Sequence, residues 1–249
     1  MFKMTLSDSN LIRNSIPIIA EILDEGMFKV DNNGLSLLSP DRSMIAVVNF
    51  RLLSSAFDEY KVSGDETLGL NMSNLVSVIK RISNNDKVSI SKQDNSNVLE
   101  IVLDGNGKRR FEIPLLDVKT EKPPIDQLEF KATAEIDSTI LEQGISDADI
   151  IDDSIVIEVS PGGFKMWAKG DVSSAQLELP KGGNGLYKID ASEPMKARYP
   201  LEYLKKMIKA SKLSGKVGIS FAQDYPMRIE FKDIDKLSLE FVLAPRVEE

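Results

Sequence analysis

The sequence predicts an α+β protein made of two similar β-rich domains with two helices each. Three observations carry that expectation. Most of the chain alternates apolar and polar residues, the period of half-buried antiparallel strands. Only four stretches have helical spacing. The order strand, helix, string of strands recurs near 1–60, 67–116, 130–180 and 196–245, which reads as an internal repeat.

Taken in order, the first helix falls on Ser9–Leu23, where Pro17 predicts an end or a kink. Strands follow through the turn Asn32-Asn33-Gly34. The second helix, Ser73–Ser83, feeds the strands Lys87–Ile90 (KVSI) and Val98–Leu103 (VLEIVL), which end at the turn Asp104-Gly105-Asn106-Gly107. A third helix at Ser138–Asp147 leads to Ile155–Val159 (IVIEV) and the turn Pro161-Gly162-Gly163. The fourth, Leu201–Leu213, precedes a hairpin and the closing strand Leu237–Leu243 (LSLEFVL). The second and fourth repeats match best: an apolar helix with basic positions, a short turn, then a Lys-Val strand. The expected domains are 1–116 and 130–249. The polar stretch 117–129 (DVKTEKPPIDQLE), with Pro123-Pro124, reads as an extended connector; a long surface loop has the same composition.

The chain has 249 residues, 42% hydrophobic and 28% charged, enough apolar material for a real core. Lys and Arg number 31 against 39 Asp and Glu, a formal charge of −8. That excludes a generally basic nucleic-acid binder but not a locally basic face. There is no Cys and no His. Cys nucleophiles, Cys/His zinc sites, Ser-His-Asp triads and disulfide scaffolds are therefore excluded together. No apolar run reaches the roughly 18 residues of a membrane helix, and MFKMTLSDSN lacks a signal-peptide core, so a soluble intracellular protein is expected.

Enzymatic readings find little support. Asp147, Asp149, Asp152, Asp153 and Glu158 superficially resemble a calcium loop. Asp152, however, stands where the sharp turn needs Gly, and Ile151 where an oxygen ligand belongs. Gly182-Gly183-Asn184-Gly185 lacks the Lys-Ser/Thr of a phosphate loop and reads as a hairpin tip. Asn71-Met72-Ser73 is an incidental sequon. No pair of carboxylates is singled out for hydrolysis. The expectation is a protein with no catalytic residues, no metal and no cofactor.

The positive signals are two. On the fourth helix, Leu201, Leu204, Met207 or Ile208 and Ser211 share one face, while Lys205, Lys206, Lys209 and Lys212 share the other. The second helix repeats this, with Leu75, Ile79 and Ile82 inward and Lys80 and Arg81 outward; the first adds Arg13. An acidic chain thus concentrates cations on its few helices. Spacing alone admits both a phosphate-binding surface and ordinary solvated faces. The second signal is an apolar set that the strand pattern does not need: Met44, Ile45 and Val47 after the turn Ser39-Pro40-Asp41-Arg42, Pro226 inside a hairpin, and Val242-Leu243-Ala244-Pro245 near the end. Routine strand-end residues would look the same.

At these residues the chain resembles the sliding clamps of the proliferating cell nuclear antigen type, the archaeal ones most closely. The resemblance spans 1–247 and rests on ordered features: Leu38–Ser43 around LLSPDR, Phe57-Asp58-Glu59-Tyr60, the basic helix at 74–81, the connector at 117–129, and Leu243-Ala244-Pro245-Arg246. It implies the DNA clamp fold and a non-enzymatic processivity factor. Such a subunit joins a trimeric ring, of copies or of sister subunits, and is loaded on duplex DNA without regard to sequence. Arg13, Lys80, Arg81, Lys205, Lys206, Lys209 and Lys212 would then face DNA phosphates. Asp41, Met44, Ile45, Val47, Ile125, Leu128, Pro226, Val242, Leu243, Ala244 and Pro245 would line a groove for partner peptides. The implied partners are DNA polymerase, flap endonuclease, DNA ligase and the clamp loader; no membrane is involved. Ring closure would pair the strand containing Arg109, Arg110, Phe111 and Ile113 with that containing Ala175, Leu177 and Leu179 of a neighbour. Lys108, Arg109 and Arg110 read equally as interface charges or as a cation-guarded edge.

Two features depart from the family pattern. The third helix presents Thr139, Glu142, Gln143, Ser146 and Asp147 outward with no cation, and Ala20 sits where relatives often carry Lys. A heteromeric ring whose sister subunits supply the missing charge would explain both. The competing readings are a checkpoint-type clamp subunit of the same fold and a carboxylate-dependent hydrolase.

Overall fold

The computed structural model describes residues 1–118 and 122–246. The chain forms two compact units: unit 1 is Met1–Ser43, Val48–Pro123 and Asp233–Leu239, and unit 2 is Met44–Val47, Pro124–Lys232 and Glu240–Glu249.

In unit 1 the first repeat runs β1 (Phe2–Leu6), α1 (Asn10–Ile19), β2 (Glu25–Asp31), β3 (Gly34–Pro40), β4 (Ala46–Leu53) and β5 (Glu59–Val62). The second runs β6 (Glu66–Asn71), α2 (Met72–Ile79), β7 (Lys87–Lys92), β8 (Val98–Gly105) and β9 (Gly107–Pro114). One sheet has the order β5-β1-β7-β8-β9; β6, β2, β3 and β4 lie side by side in another. Met4, Ile12, Ile16, Phe28, Leu70, Leu75 and Ile101 line one internal space of about 30 Å³, so strands of both sheets and both helices share a core.

In unit 2 the third repeat runs β10 (Ala132–Asp137), α3 (Ser138–Asp149), β11 (Ser154–Ser160), β12 (Gly163–Lys169), β13 (Ser174–Pro180) and β14 (Leu186–Ala191). The fourth runs β15 (Met195–Pro200), α4 (Leu201–Met207), β16 (Lys216–Phe221), β17 (Met227–Asp233) and β18 (Leu237–Leu243). One sheet has the order β13-β12-β11-β15; β14, β10, β16 and β17 lie side by side in another. Gly144 lets α3 approach this layer closely, since a Cβ there would stand 2.8 Å from Leu177 Cδ2 and 2.9 Å from Met166 Sδ.

The repeat is explicit in the pairing. β1 lies between β5 and β7 as β10 lies between β14 and β16. By this correspondence β9 is the equivalent of β18, and β13 the equivalent of β4. Within unit 1, the Leu237–Leu239 part of β18 lies beside β4, and the Leu53 amide donates to the Lys236 carbonyl at 2.8 Å. β9 and β13 stand at sheet edges among the described residues.

The helices differ from expectation at their ends. α1 runs two residues past Pro17, because Ile18 and Ile19 are buried and their packing outweighs the hydrogen bond that proline removes. It stops at Ile19 rather than Leu23. α2 ends at Ile79, followed by a turn rather than helix to Ser83. α3 runs two residues longer than expected, to Asp149. α4 ends at Met207, and Ile208–Leu213 tightens into 3-10 form. Of the stretch expected as a connector, residues 119–121 lie outside the described residues. Ile125–Gln127 makes a short 3-10 turn whose Ile125 is buried.

Candidate nucleic-acid and partner-binding surfaces

The cations that face away from the core differ in their surroundings. In unit 1, Leu75, Ile79 and Ile82 are buried, which turns Lys80 and Arg81 outward to exposed positions. The α2 N-terminus is fixed by Asn71, whose side chain accepts from the Asn74 amide at 3.0 Å. Neither Lys80 nor Arg81 forms an ion pair among the described residues. Arg13 on α1 donates from Nη1 to Asn84 Oδ1 at 2.6 Å, a neutral partner that leaves its charge uncompensated. The tether brings α1 to the turn that follows Arg81.

In unit 2, Leu201, Leu204, Met207 and Ile208 are buried, which exposes Lys205, Lys209 and Lys212. Lys205 Nζ lies 2.7 Å from Asp149 Oδ2 at the end of α3. Lys206 reaches Glu202 Oε1 at 3.1 Å and sits over the Tyr203 ring. Glu142 accepts from Ser211 Oγ at 2.8 Å. Two of the three acids of α3, Glu142 and Asp149, therefore have partners on Leu201–Leu213. Thr139, Gln143, Ser146 and Asp147 are exposed, so the outward face of α3 is cation-free as the sequence suggested. Among the described residues no group of three acidic side chains converges as a metal site.

The edge-strand residues divide. Arg109, expected at the subunit interface or on a guarded edge, donates to Asp86 and to the Arg81 carbonyl, so it braces the turn after α2. Asp86 is buried, and its pKa is lowered first by the Ser83 amide and then by the Arg109 guanidinium. Arg110 pairs with Glu100 at 3.1 Å. Ile113 and Leu179 are buried in their own units, while Phe111, Ala175 and Leu177 are half-buried.

The apolar set also divides. Met44 is 72% exposed and has φ 58°, a left-handed conformation that unbranched apolar side chains rarely adopt. Ile45 is partly exposed, and its carbonyl accepts from the Ala244 amide at 2.9 Å, which holds the C-terminal segment beside it. Val47, Leu128, Pro226, Ala244 and Pro245 are half-buried; Ile125, Val242 and Leu243 are buried. Asp41, in unit 1, is buried and accepts from the Ser43 amide at 3.2 Å.

Sequence reasoning missed an aromatic group next to these residues. The rings of Phe130 and Tyr225 meet edge-on at 6.4 Å, and the Arg228 guanidinium lies 4.6 Å over Phe130. Tyr199 donates its hydroxyl to the Tyr225 carbonyl at 2.7 Å, and burial pushes its pKa up. Gln127, Lys131, Met195, Gln223 and Tyr225 border an open cavity of about 550 Å³. Phe130 directly follows the polar stretch and Tyr225 directly precedes Pro226, a proximity in sequence that could have flagged both.

Comparison with known proteins bears on the whole chain. Residues 1–122 match the model for the proliferating cell nuclear antigen N-terminal domain, and residues 124–246 that for the C-terminal domain. A protein named DNA polymerase sliding clamp from Nanoarchaeum equitans is 31% identical over 246 residues, covering 98% of this chain and 99% of its own. One of the same name from Pyrococcus furiosus is 32% identical over 248 residues, 100% of this chain and 99% of its own. The crystal structure of PCNA from Thermococcus kodakaraensis superposes with a TM-score of 0.92 at 24% identity, covering 99% of this chain and 100% of that one, a likeness of fold.

Proposed function

The chain belongs to the proliferating cell nuclear antigen family and is an archaeal-type sliding clamp, and we propose that it encircles duplex DNA as one subunit of a three-membered ring and tethers DNA polymerase. The observation that carries the reading is the placement of charge: in a chain of net charge −8, exposed cations stand just past the end of α2 (Lys80, Arg81) and along α4 and the 3-10 segment that continues it (Lys205, Lys209, Lys212). Phosphate contacts carry no sequence information, which suits a protein that slides. An acidic remainder disfavours DNA elsewhere on the surface. Arg13, Lys80, Arg81, Lys205, Lys206, Lys209 and Lys212 are the proposed contacts, and retention is topological. The chain acts as a scaffold inside the cell; the loader supplies ATP hydrolysis.

Ring closure follows from the repeat. β9 of one subunit beside β13 of the next reproduces the pairing of β18 with β4, with Phe111 and Leu177 near the seam. Met44, Ile45, Val47, Leu128, Pro226, Ala244 and Pro245 form the accessible part of a groove for an apolar helical turn of a partner peptide, such as the tail of a polymerase, flap endonuclease or ligase. Ile125, Val242 and Leu243 support it from beneath. Residues 117–129 act as the connector between domains.

Primer extension by a cognate polymerase, with loader and ATP, tests the proposal. The expected result is a long increase in product length that requires the clamp; unchanged product length would contradict it. Light scattering tests ring composition. A mass three times 27.6 kDa means that copies of this chain suffice. A monomer means that sister subunits complete the ring.

A further inference from the structure

Met44 combines three properties that no other methionine of the chain shares. It is 72% exposed, it holds φ 58°, and it stands beside Ile45, itself tied to the C-terminal segment. Of the nine methionines, Met4, Met72, Met166, Met195, Met207 and Met227 are at most 5% exposed, Met27 is half-buried, and Met1 is 49% exposed. The chain has no cysteine to take up an oxidant. Its thioethers are therefore its reversible sulfur chemistry, and the structure presents Met44 the most, with only the N-terminal Met1 also exposed.

We infer that Met44 is a reversible oxidation site that controls occupancy of the peptide groove, an inference that rests on the groove reading above. A hydroperoxide is the oxidant. Its O–O bond breaks, the terminal oxygen forms a bond to Sδ, the thioether is oxidised to a sulfoxide, and the peroxide is reduced to water or an alcohol. The sulfoxide is polar and chiral. An apolar anchor docking on Met44 would have to desolvate that oxygen without a donor to receive it. Sliding is untouched, because none of the proposed phosphate contacts lies near residue 44 in sequence or belongs to the groove. A thiol-dependent sulfoxide reductase restores the thioether.

The full chain is titrated with hydrogen peroxide, each methionine is followed by peptide mass mapping, and the affinity of a fluorescent polymerase-tail peptide is measured at each step. Met44 should oxidise first, and affinity should fall by about tenfold, the ratio for losing part of one buried apolar side chain. Sulfoxide reductase should restore it. Met44→Leu, whatever its affinity before treatment, should bind the peptide equally well before and after peroxide; Met44→Gln should bind weakly without it. Prior oxidation of another methionine, unchanged affinity after complete Met44 oxidation, or equal sensitivity of Met44→Leu would each overturn the inference while leaving the groove intact. Failure of the untreated chain to bind the peptide would overturn the groove reading and this inference with it.

Discussion

The helices of unit 1 and unit 2 are products of one repeated pattern, yet those of unit 1 carry cations alone and those of unit 2 mix cations with acids. α1 and α2, with Lys80 and Arg81 just past α2, hold three cations and no acid. α3 holds three acids and no cation, and Leu201–Leu213 holds four lysines and one acid. In unit 2, Lys205 is compensated by Asp149 and Lys206 by Glu202. The same fold thus offers two kinds of cationic surface: one with its charge available, the other partly neutralised from within. The number of basic residues on a helix is a poor guide to its phosphate affinity. What counts is whether an acid already occupies the cation.

Removing charge from each unit in turn should separate the two surfaces most strongly. Lys80→Ala with Arg81→Ala should reduce the salt dependence of DNA binding by about two counterions, since each lost phosphate contact lowers the log–log slope by about 0.9. Lys205→Ala with Lys206→Ala should reduce it by less than about one. Equal losses would mean that the ion pairs open freely on DNA.

Asp149→Asn tests the same point in reverse. Freed from its acid, Lys205 should strengthen DNA binding by roughly two- to fivefold, the worth of a solvated ion pair. Unchanged affinity in a filter or anisotropy titration would show that Asp149 does not compete with phosphate.

The helix caps of the two units also differ in strength. Asp137 accepts from the Thr139 and Ile140 amides at the start of α3, whereas Asn71 accepts once at α2. In urea unfolding, Asp137→Ala should cost about 1–2 kcal/mol and Asn71→Ala about 1. A larger loss at Asn71 would reverse the ranking.

The smallest expected effect is acid-linked. Lys61 and then Lys3 hold Glu59 down to about 2 from an ordinary value of 4.5. A depressed carboxyl stabilises the fold above its unfolded pKa, and that stabilisation is lost as pH falls through the folded value. Glu59 is on the surface, so solvent screens the effect. Glu59→Gln should slightly flatten the fall in melting temperature between about pH 4.5 and 2. An unaltered profile would show that the unit 1 sheet edge gains nothing from these pairs.

Much of this was legible in the sequence, for identifiable reasons. Alternation marked the strands because their faces are unequally buried: Val88 and Ile90 point in while Lys87 and Ser89 are less covered. The buried rows Leu75–Ile79–Ile82 and Leu201–Leu204–Ile208 located the cations on the opposite faces. Helix ends were less legible. Pro17 marks a local cost, but Ile18 and Ile19 answer to tertiary packing. Ion pairs such as Lys205–Asp149 were invisible because the partners lie on separate elements, and that pairing changes what the acidic third helix means. The left-handed backbone of Met44 was likewise hidden, since no glycine or asparagine announces it. Phe130, Tyr225 and Arg228 assemble only when β10 and β17 are brought into one unit.

A closed ring that holds DNA by topology lies at the core of the proposed function. Its most direct test is to load the chain on a nicked circular plasmid with the clamp loader, raise the salt, and then cut the plasmid once. The protein should stay on the circle at a salt concentration that strips it from a short duplex, and leave as soon as the circle is opened. Equal retention on the cut and uncut plasmid would contradict it.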